Sequence, residues 1–449
     1  MSALRTSTPF RPPLFLTFVL FSLGVGIRAF AVEPASGVER FYIGTYSGVI
    51  NVSSLDLATG TFGPVSRAVS VSDPSFLTMS PDRNFLYAVS EGGGAVVSFS
   101  VNPTNGALKT LNQRSSNGGA PAHIALDRTG KVAIVANYNG GSITAFPIQA
   151  DGKLGVATAH IQHPGSAPHP HCVTIDASNK FVFICDKGLD QIRSYVLDAT
   201  AGTLTTNTAL ITKVAAGSGP RHMVFDLQYK RAYVICELSS KILGFDYDAA
   251  NGILTQFQTI STLPAAGSAG NTTAEIAIHP SGQFLYGSNR GYNSVVVYTI
   301  NPMDGTLTLV QQQLTGRTPR NFAIDPTGAY CIVAGQDSSD IRLYTIDPQT
   351  GLLTDTGKKI STGSPVCILP FILTPPQPVL SYRVTTSGTI ELTVGNTLKL
   401  LTYQLYRTPA LSSDAAWDLL MTGTPGQTNF ALTHSLPQEF FQVGVLPNY

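Results

Sequence analysis

Charge is scarce in this chain. Only 12% of its 449 residues are Asp, Glu, Lys or Arg, and the net charge is +1. So even a balance gives no electrostatic footing for nucleic acid or an acidic membrane surface. Tryptophan occurs once, at Trp417. Beyond residue 31 no apolar run is long enough to cross a membrane as a helix. There is no G-x-S-x-G nucleophile elbow and no P-loop or dinucleotide glycine pattern opening a helix. The Gly-Gly-Gly at 92–94 reads as a loop between strands. No C-x-x-C or similar spacing suggests a metal site. These absences set aside nucleotide-driven chemistry, α/β-hydrolase chemistry and structural zinc.

What is present is a β-rich composition, with 42 glycines and many Thr, Val and Ile runs, and a repeat. Six copies of one pattern occupy 74–91, 121–138, 170–186, 220–237, 274–290 and 319–336. They recur about every fifty residues, the period of a β-propeller blade. Each opens a strand at a step such as "PAH", "PHC", "PRH" or "PRN". It then turns through "DRTGK", "DASNK", "HPSGQ" or "DPTGA", which is hairpin chemistry. The returning strand is almost wholly apolar, as a strand buried on both faces must be ("VAIVA", "FVFIC", "AYVIC"). A third strand carries an aromatic in every copy: Phe99, Phe146, Tyr195, Phe245, Tyr298 and Tyr344. A D/N-x-x-x-G-x-L turn leads on to a solvent-facing fourth strand.

The ends complete the count. Residues 41–46 ("FYIGTY") read as a second strand with no first strand before it. The missing partner is "SPVCILPF" at 364–371, so the ring should close by pairing the two ends, leaving seven blades and no free sheet edge. The fold class expected is all-β: a seven-bladed β-propeller followed by a small C-terminal β-sandwich-like module. We divide the chain into a signal peptide (1–31), the propeller (32–373), a Pro-rich linker (374–379) and the accessory module (380–449), with about six alternating strands.

The signal peptide rests on Arg5 and Arg11, the apolar run at 14–27 and the A-x-A step at 29–31. It predicts a periplasmic or secreted protein with no membrane attachment after cleavage. Five cysteines are an odd number for such a protein. Cys172 and Cys185 face each other across the turn at Ser178-Asn179, so a cross-strand disulfide is one reading. The preferred one makes them small apolar residues, with Cys236 at the same strand position one blade later.

A hairpin brings the start of its first strand and the end of its second to one face, and in a propeller these positions ring the channel mouth. The strand starts supply Ser75, His123, His171, Arg221 with His222, Glu275 and Arg320. The strand ends supply Tyr46, Glu91, Asn137 with Tyr138, Asp186, Glu237, Arg290 and Gln336. Arginines, carboxylates and neighbouring histidines are not what mere solvation of a channel would select, and the turn ends carry only generic residues.

Strings along 41–373 resemble the seven-bladed lactonase propellers, which include a 6-phosphogluconolactonase group and a carboxy-cis,cis-muconate cyclase group. They include "YIGTY" (42–46), "PHPHCV" (168–173), "GPRHMVF" (219–225), "YVICEL" (233–238), "GSNRGYNSVVVY" (287–298) and "PRNFAIDPTG" (319–328). In the cyclase branch a His, two Arg and a Glu at the mouth are assigned to catalysis. The resemblance carries these over to His171, with His169 the second choice, Arg221, Arg290 and Glu237. The chain departs from the family pattern at "CDKGLD" (185–190) and "VAGQD" (333–337).

The set can hydrolyse a lactone without metal or cofactor. Glu237 is expected to act as a partly hydrated general base, Arg221 and Arg290 as anion clamps and His171 as the acid. The alternative reading makes Arg221 simply a structural bridge to Glu237. Glu91, His123, Tyr138, His169, Asp186, His222, Arg320 and Gln336 are expected around the substrate. His123 and His222 read as supporting hydrogen-bond donors, and Glu91 and Asp186 as groups that orient arginines. The leading expectation is an exported lactonase acting on a small sugar-derived or carboxylated lactone or the matching organic acid. Phosphogluconolactone fits an exported chain poorly. The alternatives are a non-enzymatic propeller that binds a glycan or protein, and a muconate-type cycloisomerase. A cell-surface glycan or protein partner is assigned to 380–449. Sequence alone does not separate hydrolysis from lactonisation.

Overall fold

The computed structural model describes residues 38–371 except Thr104, together with seven short strands outside that range. The chain forms two compact units: Val38–Leu373, and Met1–Gly37 with Thr374–Tyr449. Every regular element among the described residues is a strand.

The larger unit is a ring of seven antiparallel sheets. We number the blades from Leu77–Met79, the innermost strand of the first. The innermost strands of blades two to six are Pro121–Leu126, Pro170–Ile175, Pro220–Phe225, Thr272–Ile278 and Pro319–Ile324. Blade seven joins the two ends, as the sequence predicts: Pro365–Phe371 pairs antiparallel with Val38–Thr45, from Arg40↔Phe371 to Thr45↔Pro365. Tyr42 and Phe371 stack across this seam with ring centroids 4.3 Å apart.

Burial follows the patterning. The second strands Val132–Asn137, Phe181–Asp186 and Tyr330–Gly335 are buried at every position, because blades pack on both of their faces. The six recurring third-strand aromatics are all buried within the blades. Outermost strands such as Leu307–Leu314 are mostly open to solvent.

The D/N-x-x-x-G turn has a packing role. Tyr233 in blade four donates its hydroxyl hydrogen bond to the carbonyl of Gly305 in blade five (2.8 Å), and Tyr286 in blade five does so to Gly351 in blade six (2.8 Å). Both glycines have positive φ, 74° and 72°. A Cβ on Gly305 would lie 2.1 Å from Arg231 Cδ. Conformation and space therefore both require glycine at this inter-blade latch.

At the mouth, the pairing of first and second strands shifts register in six blades, at Pro121/His123, Pro170/Cys172, Pro220/His222, Thr273/Ile276, Pro319/Asn321 and, opposite Pro365, Gly44/Thr45. A bulge sets two residues against one on the partner and breaks the in–out alternation. Consecutive residues, Arg221 and His222 above all, can then both serve the channel.

The smaller unit contributes Val379–Val384, Ile390–Gly395 and Asn429–Leu432 to one sheet. Thr402–Thr408, Asp418–Thr422, Phe440–Leu446 and Leu16–Val19 form another. Leu16–Val19 lies within the segment read as a signal peptide and pairs at the edge with Phe440–Val443. The A-x-A step at 29–31, the Pro-rich stretch at 374–378 and Trp417 lie outside the described residues.

Candidate active site

Backbone pairing defines the mouth without reference to residue type. Tyr46, Glu91, Tyr138, Lys187, Glu237 and Gln336 each donate a backbone hydrogen bond to the residue just before the innermost strand, or, in blade one, to Asp73, four residues before it. Arg290 holds the same place opposite Thr272. Each blade thus contributes one residue to this ring, and all seven are half-buried or buried at its edge. Below it lie the bulged strand starts, including His171, Arg221 and Arg320. Deeper still are His123, Cys172, His222, Glu275 and Asn321, set by the pairs His123↔Ala136, Cys172↔Cys185, His222↔Ile235 and Asn321↔Ala334.

This register corrects one expectation. The mouth position of blade three belongs to Lys187, and Asp186 sits one residue earlier with its side chain on the other side of the strand. Asp186 Oδ1 accepts backbone N–H groups from His169, Gly188 and Leu189, and Oδ2 lies 2.5 Å from His163 Nδ1. It is fully buried and organises its own loop rather than an arginine. The same slip affects the cysteines. Cys236 pairs with Pro220 as Asp186 pairs with Pro170, so Cys236 corresponds to Asp186, not to Cys185. All five cysteines are free and buried.

The structure brings together three of the four expected catalytic residues directly. Glu237 Oε2 lies 3.0 Å from Arg221 Nε and 3.1 Å from Arg290 Nη2, and Oε1 lies 2.7 Å from Lys187 Nζ. The Arg221 contact is an ion pair without a well-aligned hydrogen bond at Nε. Lys187 also donates to Tyr138 Oη (2.8 Å). Burial by itself would raise the Glu237 carboxyl, but Arg221, Arg290 and Lys187 outweigh it and hold the group at about 2. Its side chain is only 11% exposed, so it is not the hydrated group expected. Burial and the nearby Arg290 and Arg320 pull Arg221 down to about 10, against the opposing Glu237 and Glu275.

His171 sits beside this cluster. Its ring is 5.1 Å from that of His222 and 5.5 Å from that of Tyr138. Burial, reinforced by Arg221, His222, Arg320 and His123, pushes its imidazole well below the usual histidine range. Each of these influences disfavours the imidazolium and favours the neutral ring. Its Nδ1 is buried with no hydrogen-bond partner among the described residues, as are Ser75 Oγ, Arg290 Nε and Gln336 Oε1. Buried polar atoms are normally paired, so orphans clustered in a channel mouth are what a ligand site presents.

The other expected residues take varied places. Glu91 accepts from Tyr46 Oη (2.9 Å), and Arg320 lies over the Tyr46 ring at 5.2 Å. His169 stacks on Tyr138 at 4.5 Å, with its Nδ1 2.9 Å from the Tyr138 carbonyl oxygen. His123 stacks on Phe76 at 3.8 Å deeper in the channel and lies 3.8 Å from Cys172 Sγ. His222 Nδ1 is 2.9 Å from Glu275 Oε1. Lys187 was missed, although the departure at "CDKGLD" marked the place.

Residues 40–370 match the sequence signature of the family described as "Lactonase, 7-bladed beta-propeller". A 6-phosphogluconolactonase of Bacillus subtilis is 28% identical, over 61% of this chain and 81% of its own length. One from Formosa agariphila is 33% identical, over 63% and 80%. The solved structure of a periplasmic gluconolactonase from Pseudomonas aeruginosa superposes with a TM-score of 0.72 at 29% identity, over 75% of this chain and all of that one. With seven closed blades and the family signature spanning them, this chain belongs to the lactonase seven-bladed β-propeller family.

Proposed function

We propose that the protein hydrolyses a small sugar-derived or carboxylated lactone at the channel mouth, with His171 as the base and Arg221, Arg290 and Lys187 as the electrostatic frame. The observation that carries this reading is the neutral His171, with an unpartnered Nδ1, beside a carboxylate held by three cations.

The roles of Glu237 and His171 differ from those expected of the sequence. A carboxylate held at about 2 is a poor base near neutrality, whereas the His171 ring offers an unprotonated nitrogen; the burial and arginines that oppose its imidazolium are offset as the oxyanion forms beside it. In this scheme His171 takes a proton from water as its oxygen adds to the lactone carbonyl carbon. The guanidinium groups stabilise the oxyanion that forms. Collapse breaks the ring C–O bond, and the His171 imidazolium returns its proton to the departing ring oxygen. The new carboxylic acid ionises, so each turnover releases one proton and His171 ends neutral. Glu237 holds the three cations in place.

Export remains part of the proposal. It is supported by the charged, apolar and A-x-A segments at the N-terminus and by the periplasmic gluconolactonase relative. Cleavage after Ala31 would remove the edge strand Leu16–Val19 and leave its sheet with three strands.

The test is acid release from a panel of sugar and carboxylated lactones near pH 7. Turnover should be found, and kcat/KM should not decline as pH falls from 8 to 6.5, because the downward shift of His171 favours its neutral form above the ordinary histidine value. A loss of activity as pH rises through 6.5 would instead require an imidazolium and would return His171 to the role of acid. No turnover on any lactone would overturn the proposal.

A further inference from the structure

We propose that Glu275 and Asn321 are positioning residues that fix the His222 tautomer and, through it, the guanidinium of Arg221. This builds on the role given above to Arg221, but its primary test requires no substrate.

The chain of contacts runs across four blades. The backbone N–H of Ile368, in the closing strand of blade seven, donates to Asn321 Oδ1 in blade six (2.7 Å). A backbone N–H can only donate, so the Asn321 amide must place its oxygen there and its NH2 on the other side. That NH2 donates to Glu275 Oε2 in blade five. Glu275 Oε1 accepts the backbone N–H of Ile276 (3.0 Å) and faces His222 Nδ1 in blade four (2.9 Å). A carboxylate only accepts, so His222 carries its proton on Nδ1 and turns a lone pair on Nε2 outward. Arg221 Nη1, 3.2 Å away, is an obligatory donor and points at that lone pair. It also donates to the Ala274 carbonyl oxygen (2.7 Å). Every link is thus directional, set at one end by a backbone amide and at the other by a guanidinium.

Burial makes the direction matter. Arg221, His222 and Asn321 are each 5% exposed or less, so no link can be replaced cheaply by solvent. Burial, aided by Arg221, leaves His222 below its usual range despite the opposing Glu275, and a neutral ring is what a donor-in, acceptor-out relay needs. The bulge at Pro220/His222 explains how adjacent residues can take part in one chain.

Glu275→Gln is the informative change. The amide that replaces the carboxylate has one accepting end. If that oxygen stays toward Ile276 and His222, its NH2 opposes the NH2 of Asn321. If it flips, its NH2 opposes the Ile276 N–H and donates to His222 Nδ1, which moves the ring proton to Nε2 against Arg221. Either orientation contains a donor–donor conflict. Glu275→Asp keeps an acceptor-only group.

The experiment is long-range 1H–15N correlation on the histidine-labelled full chain, with the His222 signals identified by their loss in His222→Asn. The wild type and Glu275→Asp should carry the His222 proton on Nδ1, and Glu275→Gln should show a mixed or Nε2–H ring. Where lactone turnover is measurable, kcat should fall about 100-fold in Glu275→Gln, as for a displaced catalytic group, with KM changed less and partial recovery in Glu275→Asp. An Nε2–H ring in the wild type overturns the proposal, and this reading stands even if Glu275→Gln does not fold. An unchanged Nδ1–H ring in a folded Glu275→Gln overturns it as well when the Asn321 side-chain amide signals, followed in an asparagine-labelled sample, are also unmoved, because the orientation that keeps Nδ1–H must set the new NH2 against that amide. Absence of lactone turnover would count against the proposed function while leaving the tautomer result to decide this one.

Discussion

At the turn end of the inner hairpins, Asp127, Asp176, Asp226 and Asp325 accept backbone N–H groups of their own turns, at 2.6–3.1 Å. At the mouth end, Glu237 and Glu275 accept from side chains on other blades: Lys187, Arg290 and Asn321. The turn carboxylates repeat because a turn is a local problem with a local solution. The mouth carboxylates do not repeat, and each has partners of a different kind. A group repeated around the ring maintains the blade, whereas one that differs from blade to blade is free to serve chemistry.

The comparison breaks first, and by the largest margin, at His171. His171→Ala should lower kcat/KM about 100-fold or more, the usual loss of a general base, with the thermal transition of the propeller kept. Asp226→Asn, at the other end of the same region, should leave kcat/KM near the wild-type value. Equal losses from the two would erase the distinction between the ends.

Glu237→Gln comes next. It leaves Arg221, Arg290 and Lys187 facing one another with no carboxylate between them, and breaking a buried ion pair from one side costs about 3–5 kcal/mol. Urea unfolding should show a loss toward the lower end of that range, since the site is not fully closed. A loss below about 1 kcal/mol would mean that the three cations relax into solvent. Asp226→Ala should cost about 1–3 kcal/mol, the range for unsatisfied buried donors, and should have no mouth phenotype.

Acid sharpens the comparison further. Glu237 titrates at about 2 in the fold, below its unfolded value of about 4.3, so its stabilisation is present above that value and is lost as pH falls toward 2. The fold also depresses His171 and His222, favouring their neutral forms. Their contribution is present above about pH 6.5 and fades as pH drops below it. Unfolding free energy should therefore decline on acidification, beginning near pH 6.5, and His171→Asn should flatten the upper part of that decline. The smallest effect is expected at Lys187. Lys187→Met should lower turnover about tenfold, equivalent to about 1.4 kcal/mol, because Arg221 and Arg290 still hold Glu237.

The blades, the aromatic third strands and the closure of 364–371 on 41–46 were legible because they follow from periods of two and about fifty. The convergence of Arg221, Glu237 and Arg290, with His171 beside them, was legible through short strings. The two misplaced positions, Asp186 and Cys236, have one geometric source. "CDKG" looks like a strand ending on Asp186, yet pairing with Pro170 ends the strand there and passes the mouth position to Lys187. In a pleated strand a slip of one residue reverses the face.

The sequence by itself determined the number of blades, the seam and the residue types available at the mouth, because each is written in local pattern and repeat spacing. Only the tertiary structure decided which protonation state each group holds. The Glu237 carboxyl is held low because three cations from three blades converge on it, and the His171 imidazole is pushed down because burial and neighbouring guanidinium groups disfavour its charged form. Those charges come from residues as far apart in sequence as Lys187 and Arg290, and their effect depends on distance and burial, which exist only once the ring has closed.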